Sequence, residues 1–205
     1  MTGEKKYVCG KQWIVDTTFT DYKKFLPFLH NNQISEYSNE TVSFGGRQYP
    51  LWCDKELVLN YNHHKDFLDY VPQEGFETLL EQALAWTQAK MLQYRFYHKL
   101  YPVISWYMDY DEGGWQGLHT HSTNAITQVI YLDPTTHITP SSTPKESGYG
   151  SMYALMASGD KTKYIPFVGF PGRCILMAGD VYHGVYPVKS TPRRTIIIDY
   201  MYNIK

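Results

Sequence analysis

Three histidines in two distant motifs have the types and the spacing of a metal site. His119 and His121 form an H-x-H pair in the segment GGWQGLHTH, and His183 lies in the segment AGDVYHGVYP. On an extended backbone, side chains at positions i and i+2 point to the same side of a sheet. A third imidazole from a distant strand would complete one face of a metal ion and leave the opposite face open for other ligands. The pattern therefore predicts a metal-dependent enzyme.

Two arginines follow the distal histidine and have the chemistry to bind an anion. Arg193 comes ten positions after His183, and Arg194 and Thr195 follow it directly. In a strand, Arg193 and Thr195 share one face, whereas Arg194 lies on the other. An arginine that faces the interior needs an anionic partner, and its guanidinium fork matches the geometry of a carboxylate. The spacing leaves open which of the two arginines faces inward.

The other five histidines lack such a context. His63 and His64 are adjacent, so their side chains diverge on an extended chain, and His30, His98 and His137 stand alone. We interpret all five as structural or surface residues.

The elements that must position these residues change in character along the chain. Residues 1–72 are mixed in pattern and predict short helices, turns and one or two edge strands. Residues 74–100 carry apolar side chains at spacings near three and four, between Pro72 and Pro102, which predicts a helix packed on a sheet. From Val103 onward the apolar period becomes two, which predicts seven strands. These are Val103–Asp109, Ala125–Leu132, Ser151–Ala157, Lys163–Val168, Arg173–Ala178, Val181–Val188 and Arg194–Tyr202.

A helix followed by closely spaced strands favours a mainly β (α+β) fold, in which a β-sandwich or jelly roll carries helices on one face. In this arrangement the histidine pair opens the second strand. The segment 133–149, rich in Thr, Ser and Pro, predicts a long surface loop. A length of 205 residues suits one domain, 1–205, with a mixed N-terminal region 1–102 and a β core 103–205.

The composition argues against several partners and compartments. A net charge of −1 gives no electrostatic reason to expect a nucleic acid or an anionic membrane. Cys9, Cys53 and Cys174 are far apart in sequence, so neither a disulfide framework nor a cysteine zinc site is indicated. The chain has no apolar run of about 18 residues and no signal-peptide pattern at its start. These features predict a cytoplasmic protein without a membrane span.

At these residues the chain resembles the iron(II)- and 2-oxoglutarate-dependent oxygenases, and most of all their prolyl-4-hydroxylase-like branch. Four elements in the right order carry the resemblance between Val103 and Asn203. They are YDEGG before the histidine pair, the pair itself, ITQVIYL after it, and the ending GDxxH…RxT. The resemblance implies a double-stranded β-helix, the cupin-like jelly roll, with N-terminal helices packed on its major sheet.

For the metal, the resemblance implies iron(II) held by His119, His121 and His183. Most members of the family have Asp or Glu where this chain has His121, and that carboxylate completes a set of two histidines and one carboxylate. Three alternatives follow from this departure. His121 is itself a ligand, Asp109 or Asp111 substitutes for it, or the site is inactive; we favour the first.

For the cosubstrate, the resemblance implies that Arg193, helped by Thr195, binds the distal carboxylate of 2-oxoglutarate. Thr127 and Tyr131 match the strand whose inward side chains border the cosubstrate, and they share one face by the period of two. Tyr110 matches the tyrosine before the glycine-rich turn, which reaches toward the same pocket.

The resemblance implies a dioxygenase that uses 2-oxoglutarate and O2 to hydroxylate a prime substrate, with release of succinate and CO2. Peptidyl proline, another amino-acid side chain, a nucleobase and a small metabolite all stay open as substrates, and the sequence does not indicate an oligomeric state. One alternative is a three-histidine cupin metalloenzyme that does not need 2-oxoglutarate. Another is a non-catalytic jelly-roll binding module, in which the three histidines would not converge.

Overall fold

A computed structural model of the protein describes residues 3–30, 43–61, 68, 73–133, 149–189 and 192–202. Within these residues ten strands join through antiparallel pairs into one continuous sheet. The strands are β1 (Lys5–Cys9), β2 (Gln12–Thr18), β3 (Ser43–Cys53), β4 (Tyr101–His119), β5 (Ala125–Tyr131), β6 (Met152–Ser158), β7 (Lys161–Phe167), β8 (Arg173–Ala178), β9 (Tyr182–Val185) and β10 (Arg193–Met201). The described helices are a 3-10 helix (Thr20–His30), α1 (Lys55–Tyr61) and α2 (Phe76–Gln93).

Strand β4 belongs to both halves of the sheet. Its first part, up to Tyr110, pairs with β10, whereas its last residue, His119, lies opposite His183 of β9. The major half has the order β1-β2-β8-β5-β10-β4, the minor half continues β4-β9-β6-β7, and β3 pairs along β4. From β4 to β10 the chain therefore passes repeatedly between the two halves. This is the jelly-roll arrangement of a double-stranded β-helix, as predicted.

Two apolar cores lie on opposite faces of the major half. The interior core joins the two halves and includes Val129 and Ile175 from one and Met152 and Phe167 from the other. The helix-side core joins the outer face of the major half to α2 and the 3-10 helix. Because both of its faces are covered, all seven residues of β5 are buried. This double burial explains why β5 reads as a nearly continuous apolar run.

Helix α2 packs on the major half, as predicted, but it is shorter than the predicted 74–100. It ends at Gln93, and Tyr97, which lies inside the predicted range, is 74% exposed. The side chain of Gln88 explains the early end. Its Nε2 donates to the carbonyl of His98 at 3.0 Å, and its Oε1 accepts from the backbone N–H of Leu100 at 2.9 Å. The chain is thereby turned back beside the helix. Among the described helices, none combines the length and the apolar character needed to cross a bilayer.

The N-terminal region contributes more to the sheet than predicted. Strand β2 is not an edge strand, because it lies between β1 and β8, and β3 adds a further strand along β4. The prediction missed β2 because its polar residues hide its period. Asp16 is buried, and its carboxylate accepts two hydrogen bonds from Arg173 of β8, at 2.9 and 2.6 Å. A carboxylate paired in this way is tolerated inside a sheet.

Candidate metal centre and the adjoining pocket

The three predicted histidines converge at one end of the barrel. His119 and His183 are register partners in β4 and β9, and their ring centroids are 4.2 Å apart. The ring of His121 lies 5.1 Å from that of His183. One possible ligand atom from each histidine lies within 4.8 Å of the others. The alternative of a non-catalytic jelly-roll binding module predicts that the three histidines do not converge, so this arrangement argues against it.

The prediction that the histidine pair opens the second strand is wrong. His119 ends β4, and His121 lies in the connection to β5, which begins at Ala125. The resemblance implies a turn in the glycine-rich segment before His119, but in the structure this segment continues the strand. The reason is that β9 and the residues after it supply hydrogen-bond partners: Gly113 donates to Val188 at 2.7 Å, and Val188 donates to Gly114 at 2.8 Å. The backbone N–H of His121 donates to Gly179 at 2.7 Å, which holds the connection against the end of β8.

Each histidine has its Nδ1 occupied by a protein acceptor. The Nδ1 of His119 lies 2.9 Å from the carbonyl oxygen of Gly117, and that of His183 lies 3.0 Å from the carbonyl oxygen of Val181. A carbonyl oxygen only accepts, so these Nδ1 atoms carry the proton. The Nε2 lone pairs are therefore available to a metal. Neutral imidazole nitrogens suit iron, zinc, copper and nickel, so the donor set fits a divalent transition metal.

The surroundings of His183 keep its imidazole neutral. Burial, reinforced by the neighbouring His119 and His121, holds the pKa of His183 well below its ordinary value. The ring of Trp106 stacks on His121 at a centroid distance of 5.9 Å. Trp106 thus lies in the wall of the site. A neutral histidine is the form that binds a metal.

The sequence reasoning missed one residue that contacts the histidine cluster, Asp199 in β10. Its Oδ2 lies 2.7 Å from Nδ1 of His121, and its Oδ1 accepts from the hydroxyl of Thr127 at 2.7 Å. Asp199 is only 7% exposed. A signal was present in the sequence, because Asp199 is the single acid in the apolar run IIIDYM and a buried acid needs a partner. The partner itself lies 78 positions away and has no local signature.

The two acids considered as substitutes for His121 lie elsewhere. Asp109 and Asp111 lie 3.7 and 2.8 Å from the guanidinium of Arg47 in β3. Asp109 is on the face of β4 opposite to Tyr110, which lines the pocket. Neither acid belongs to the cluster that the three histidines form among the described residues.

A pocket extends from the histidines into the barrel and ends at Arg193. Its empty volume, with open solvent at the mouth included, is about 370 Å³, and the three histidines, Tyr110, Arg193 and Thr195 line it. The apolar part of its wall consists of Trp106, Met108, Val129, Met152, Val185 and Ile197. The pocket therefore connects a group of histidine nitrogens that could hold a metal to a buried arginine.

Arg193 is the inward-facing arginine. It is 2% exposed, its Nε donates to the carbonyl of Gly150 at 3.1 Å, and its guanidinium lies over the rings of Tyr110 and Tyr131 at 4.8 and 5.3 Å. Thr195 lies 3.4 Å from its NH1. Within the part of the chain that the structure describes, these partners are all uncharged. A buried guanidinium in such surroundings is suited to an anionic ligand.

Arg194, one residue later, faces the other way and is paired within the protein. Its Nε and NH2 donate to the carboxylate of Asp133 at 2.8 and 2.9 Å, and its backbone N–H donates to the same carboxylate at 2.9 Å. The structure thus shows which of the two arginines faces the interior, a choice that the spacing alone left open.

The tyrosines and the threonine predicted near the cosubstrate occupy different positions. Tyr110 lines the pocket, and burial raises its pKa to about 12, so its phenol stays protonated and donates to Oε1 of Gln116 at 3.0 Å. Tyr131 packs behind Arg193, and its hydroxyl accepts from the backbone N–H of Met152 at 3.3 Å. Thr127 contacts Asp199, which places it beside the histidine end of the barrel rather than in the pocket wall.

Of the five histidines interpreted as structural or surface residues, only His98 has a described side chain. It is exposed and contacts the rings of Phe96 and Tyr202, at centroid distances of 5.0 and 5.5 Å. The side chain of His30, and His63, His64 and His137 altogether, lie outside the described residues, as does the segment 134–148 of the predicted loop.

No protein-family model matches the chain, and no curated protein matches it. Solved structures match it over most of its length. An oxidoreductase of the 2OG-Fe(II) oxygenase family from Burkholderia pseudomallei has a TM-score of 0.59 at 11% identity, covering 87% of this chain and 76% of that one. A prolyl-4-hydroxylase from Pseudomonas putida has a TM-score of 0.55 at 13% identity, covering 94% and 93%.

A third solved structure, HygX from Streptomyces hygroscopicus, contains nickel and 2-oxoglutarate. Its TM-score is 0.57 at 10% identity, and the match covers 93% of this chain and 83% of that one. Likeness at such low identity concerns the arrangement of the backbone. Together the three matches confirm the predicted fold class: this chain has the jelly-roll fold of the 2-oxoglutarate- and iron(II)-dependent oxygenases.

Proposed function

We propose that the protein is an iron(II)- and 2-oxoglutarate-dependent dioxygenase that hydroxylates a prime substrate and releases succinate and CO2. One observation carries this proposal. A single pocket has three imidazoles with available Nε2 atoms at one end and a buried arginine with uncharged described partners at the other. A dicarboxylate with a 2-oxo group complements both ends at once.

In this proposal each residue has a defined task. His119, His121 and His183 hold iron(II), which when bound supplies the activation of O2 and the oxidative decarboxylation of the cosubstrate. Arg193 binds the distal carboxylate through its guanidinium fork, and Thr195 offers a hydroxyl beside it. Tyr131 and Tyr110 keep the guanidinium in place through their ring faces.

The wall between the two ends excludes water. Met108, Val129 and Ile197 line the pocket and are buried at 2, 5 and 6% exposure. A dry wall strengthens the electrostatic attraction between Arg193 and a bound carboxylate, because the local dielectric constant is low. It also protects a reactive centre from side reactions with water.

An anaerobic titration tests the proposal. Iron(II) is added to the metal-free protein, followed by 2-oxoglutarate, and we expect a weak metal-to-ligand charge-transfer band in the visible region. Succinate in place of 2-oxoglutarate is the matched control, because it lacks the 2-oxo group and should give no band. Binding of iron without a band would contradict the proposed cosubstrate, and absence of iron binding would contradict the metal site.

The second candidate is a three-histidine metalloenzyme of the cupin type that does not use 2-oxoglutarate. The observation that favours it is the ligand set, since all three candidate ligands are imidazoles where a carboxylate is usual in the oxygenases. Iron binding without the charge-transfer band is the outcome that selects this candidate.

Within this proposal the prime substrate is defined only by its chemical class. A small molecule or a peptidyl residue fits a pocket whose described wall, apart from the histidines, has Arg193 as its charged group. Products of turnover with candidate substrates, detected by a mass increase of one oxygen atom, would identify it.

A further inference from the structure

His121 differs from the other two histidines in the group that receives its Nδ1 proton. His119 and His183 donate to backbone carbonyls two residues earlier in their own segments, those of Gly117 and Val181. His121 instead meets the carboxylate of Asp199, at 2.7 Å, from a strand 78 positions further along the chain. A carboxylate therefore lies behind one imidazole of the cluster, and a backbone carbonyl lies behind each of the others.

The orientation of Asp199 is held by a second hydrogen bond. Thr127 is 0% exposed, and its hydroxyl donates to Oδ1 at 2.7 Å, so the two carboxylate oxygens have separate donors. Asp199 is itself buried in the barrel, with a side chain 9% exposed, and the side chain of His121 is 8% exposed. Charge-assisted hydrogen bonds of this length are about twice as strong as neutral ones. Thr127, Asp199 and His121 thus form a chain of hydrogen bonds that ends at Nδ1 of His121, on the ring whose Nε2 would bind the metal.

We propose that Asp199 is a positioning residue that makes His121 the strongest ligand of the cluster and supplies, on the side of the imidazole ring away from the metal, the carboxylate that the usual ligand set has at the metal itself. A carboxylate behind a ligating histidine fixes the tautomer and the ring orientation and raises the basicity of the ligand. This inference rests on the metal site of the proposed function. It also explains how an H-x-H pair can replace the usual histidine and carboxylate. The carboxylate is retained, but it comes from β10 and contacts His121 instead of the metal.

The test compares cobalt(II) binding by metal-free variants, since cobalt(II) is a stable divalent substitute for iron(II). Asp199→Asn keeps the size of the side chain and an acceptor oxygen but removes the charge. We expect its cobalt(II) affinity to fall by about 10- to 100-fold. Thr127→Val should lower the affinity less, and Thr127→Ser, which keeps the hydroxyl, should restore it.

The matched control is Asp16→Asn, which neutralises another buried acid of the same sheet, one paired with Arg173 rather than with a histidine. Its cobalt(II) affinity should stay within about twofold of that of the unaltered protein, even if its thermal stability falls. A nitrogen-15 NMR spectrum of the metal-free protein reports the tautomer of His121, which a general loss of stability would not change. His121 should carry its proton on Nδ1, both in the unaltered protein and in Asp199→Asn.

The outcomes separate the two proposals. Cobalt(II) affinity of Asp199→Asn within twofold of the unaltered protein, or a proton on Nε2 of His121, overturns the role of Asp199 while the metal site stands. A protein that binds neither cobalt(II) nor iron(II) overturns both. A large loss in Asp199→Asn, together with no charge-transfer band on adding 2-oxoglutarate to the iron(II) form, supports the role of Asp199 and contradicts the proposed cosubstrate.

Discussion

The two faces of strand β10 carry polar residues with different partners. On the face toward the helices, Arg194 is paired with Asp133, and the hydroxyl of Tyr200 donates to Oε1 of Gln128 at 2.7 Å. The same Oε1 lies 3.2 Å from the hydroxyl of Thr87 in α2. Each of these polar groups has a hydrogen-bond partner within the protein, so none of them requires a ligand.

On the face toward the barrel interior, Arg193, Thr195, Ile197 and Asp199 follow one another at every second position. Arg193 has uncharged partners within the described chain, and Asp199 contacts a histidine whose Nε2 is available to a ligand. Buried polar groups are normally paired, and a buried guanidinium whose described partners are all uncharged is suited to an anionic ligand. The comparison teaches that the charge of the partners, rather than burial or residue type, distinguishes Arg193 from Arg194 in this strand.

The largest expected effect comes from removing a ligand on the interior side. His121→Ala should abolish iron(II) binding, since two imidazoles offer too few donors to hold the ion against water. His98→Ala is the control, because that histidine is exposed and lies in the chain after α2. Anaerobic iron(II) binding by calorimetry measures both, and near-normal affinity in His121→Ala would refute the ligand assignment.

The second effect concerns Arg193. Arg193→Met should weaken 2-oxoglutarate binding to the iron(II) form by about 100-fold, or about 3 kcal/mol, because a bound carboxylate would lose its buried partner. The affinity for iron(II) alone should not change. Titration of the charge-transfer band measures this, and an unchanged dissociation constant for 2-oxoglutarate would place the cosubstrate elsewhere.

Arg194→Met should lower the stability of the protein and leave its affinity for 2-oxoglutarate unchanged. It leaves the carboxylate of Asp133 without its guanidinium, and Asp133 is 8% exposed. We expect the free energy of unfolding to fall by about 2 kcal/mol, with 2-oxoglutarate binding unchanged. Urea denaturation of the metal-free protein checks the first part. A loss of cosubstrate affinity at constant stability would reverse the assignments of the two arginines.

The smallest effect is expected at Tyr200. Tyr200→Phe removes one donor to Gln128, which keeps its contact with Thr87. The free energy of unfolding should fall by about 1 kcal/mol, and metal affinity should stay as it was. A change of more than about twofold in the cobalt(II) affinity of Tyr200→Phe would show that the helix face of β10 takes part in the metal site.

Predictions from the sequence succeeded where the signal is local. Strands β5, β8 and β10 were located to within one residue at either end, since apolar alternation between Gly, Pro and Asp breaks is a property of the segment itself. The end of α2 and the course of β4 were predicted wrongly. In both places distant or side-chain hydrogen bonds, from Gln88 and from the residues after β9, override the local pattern.

The sequence by itself determined which residue types are available to the site and which of them share a face, because the period of a strand is a local property of the backbone. The choice between Arg193 and Arg194, the register of His119 with His183, and the contact of Asp199 with His121 were decided only by the tertiary structure. The first and the last depend on which face of β10 meets the barrel interior, and their partners lie far apart in the sequence: Arg194 and Asp133 are 61 positions apart, and Asp199 and His121 are 78. The register of His119 with His183 depends on the pairing of β4 with β9. Packing of whole sheets sets these relations, and no window of the sequence contains them.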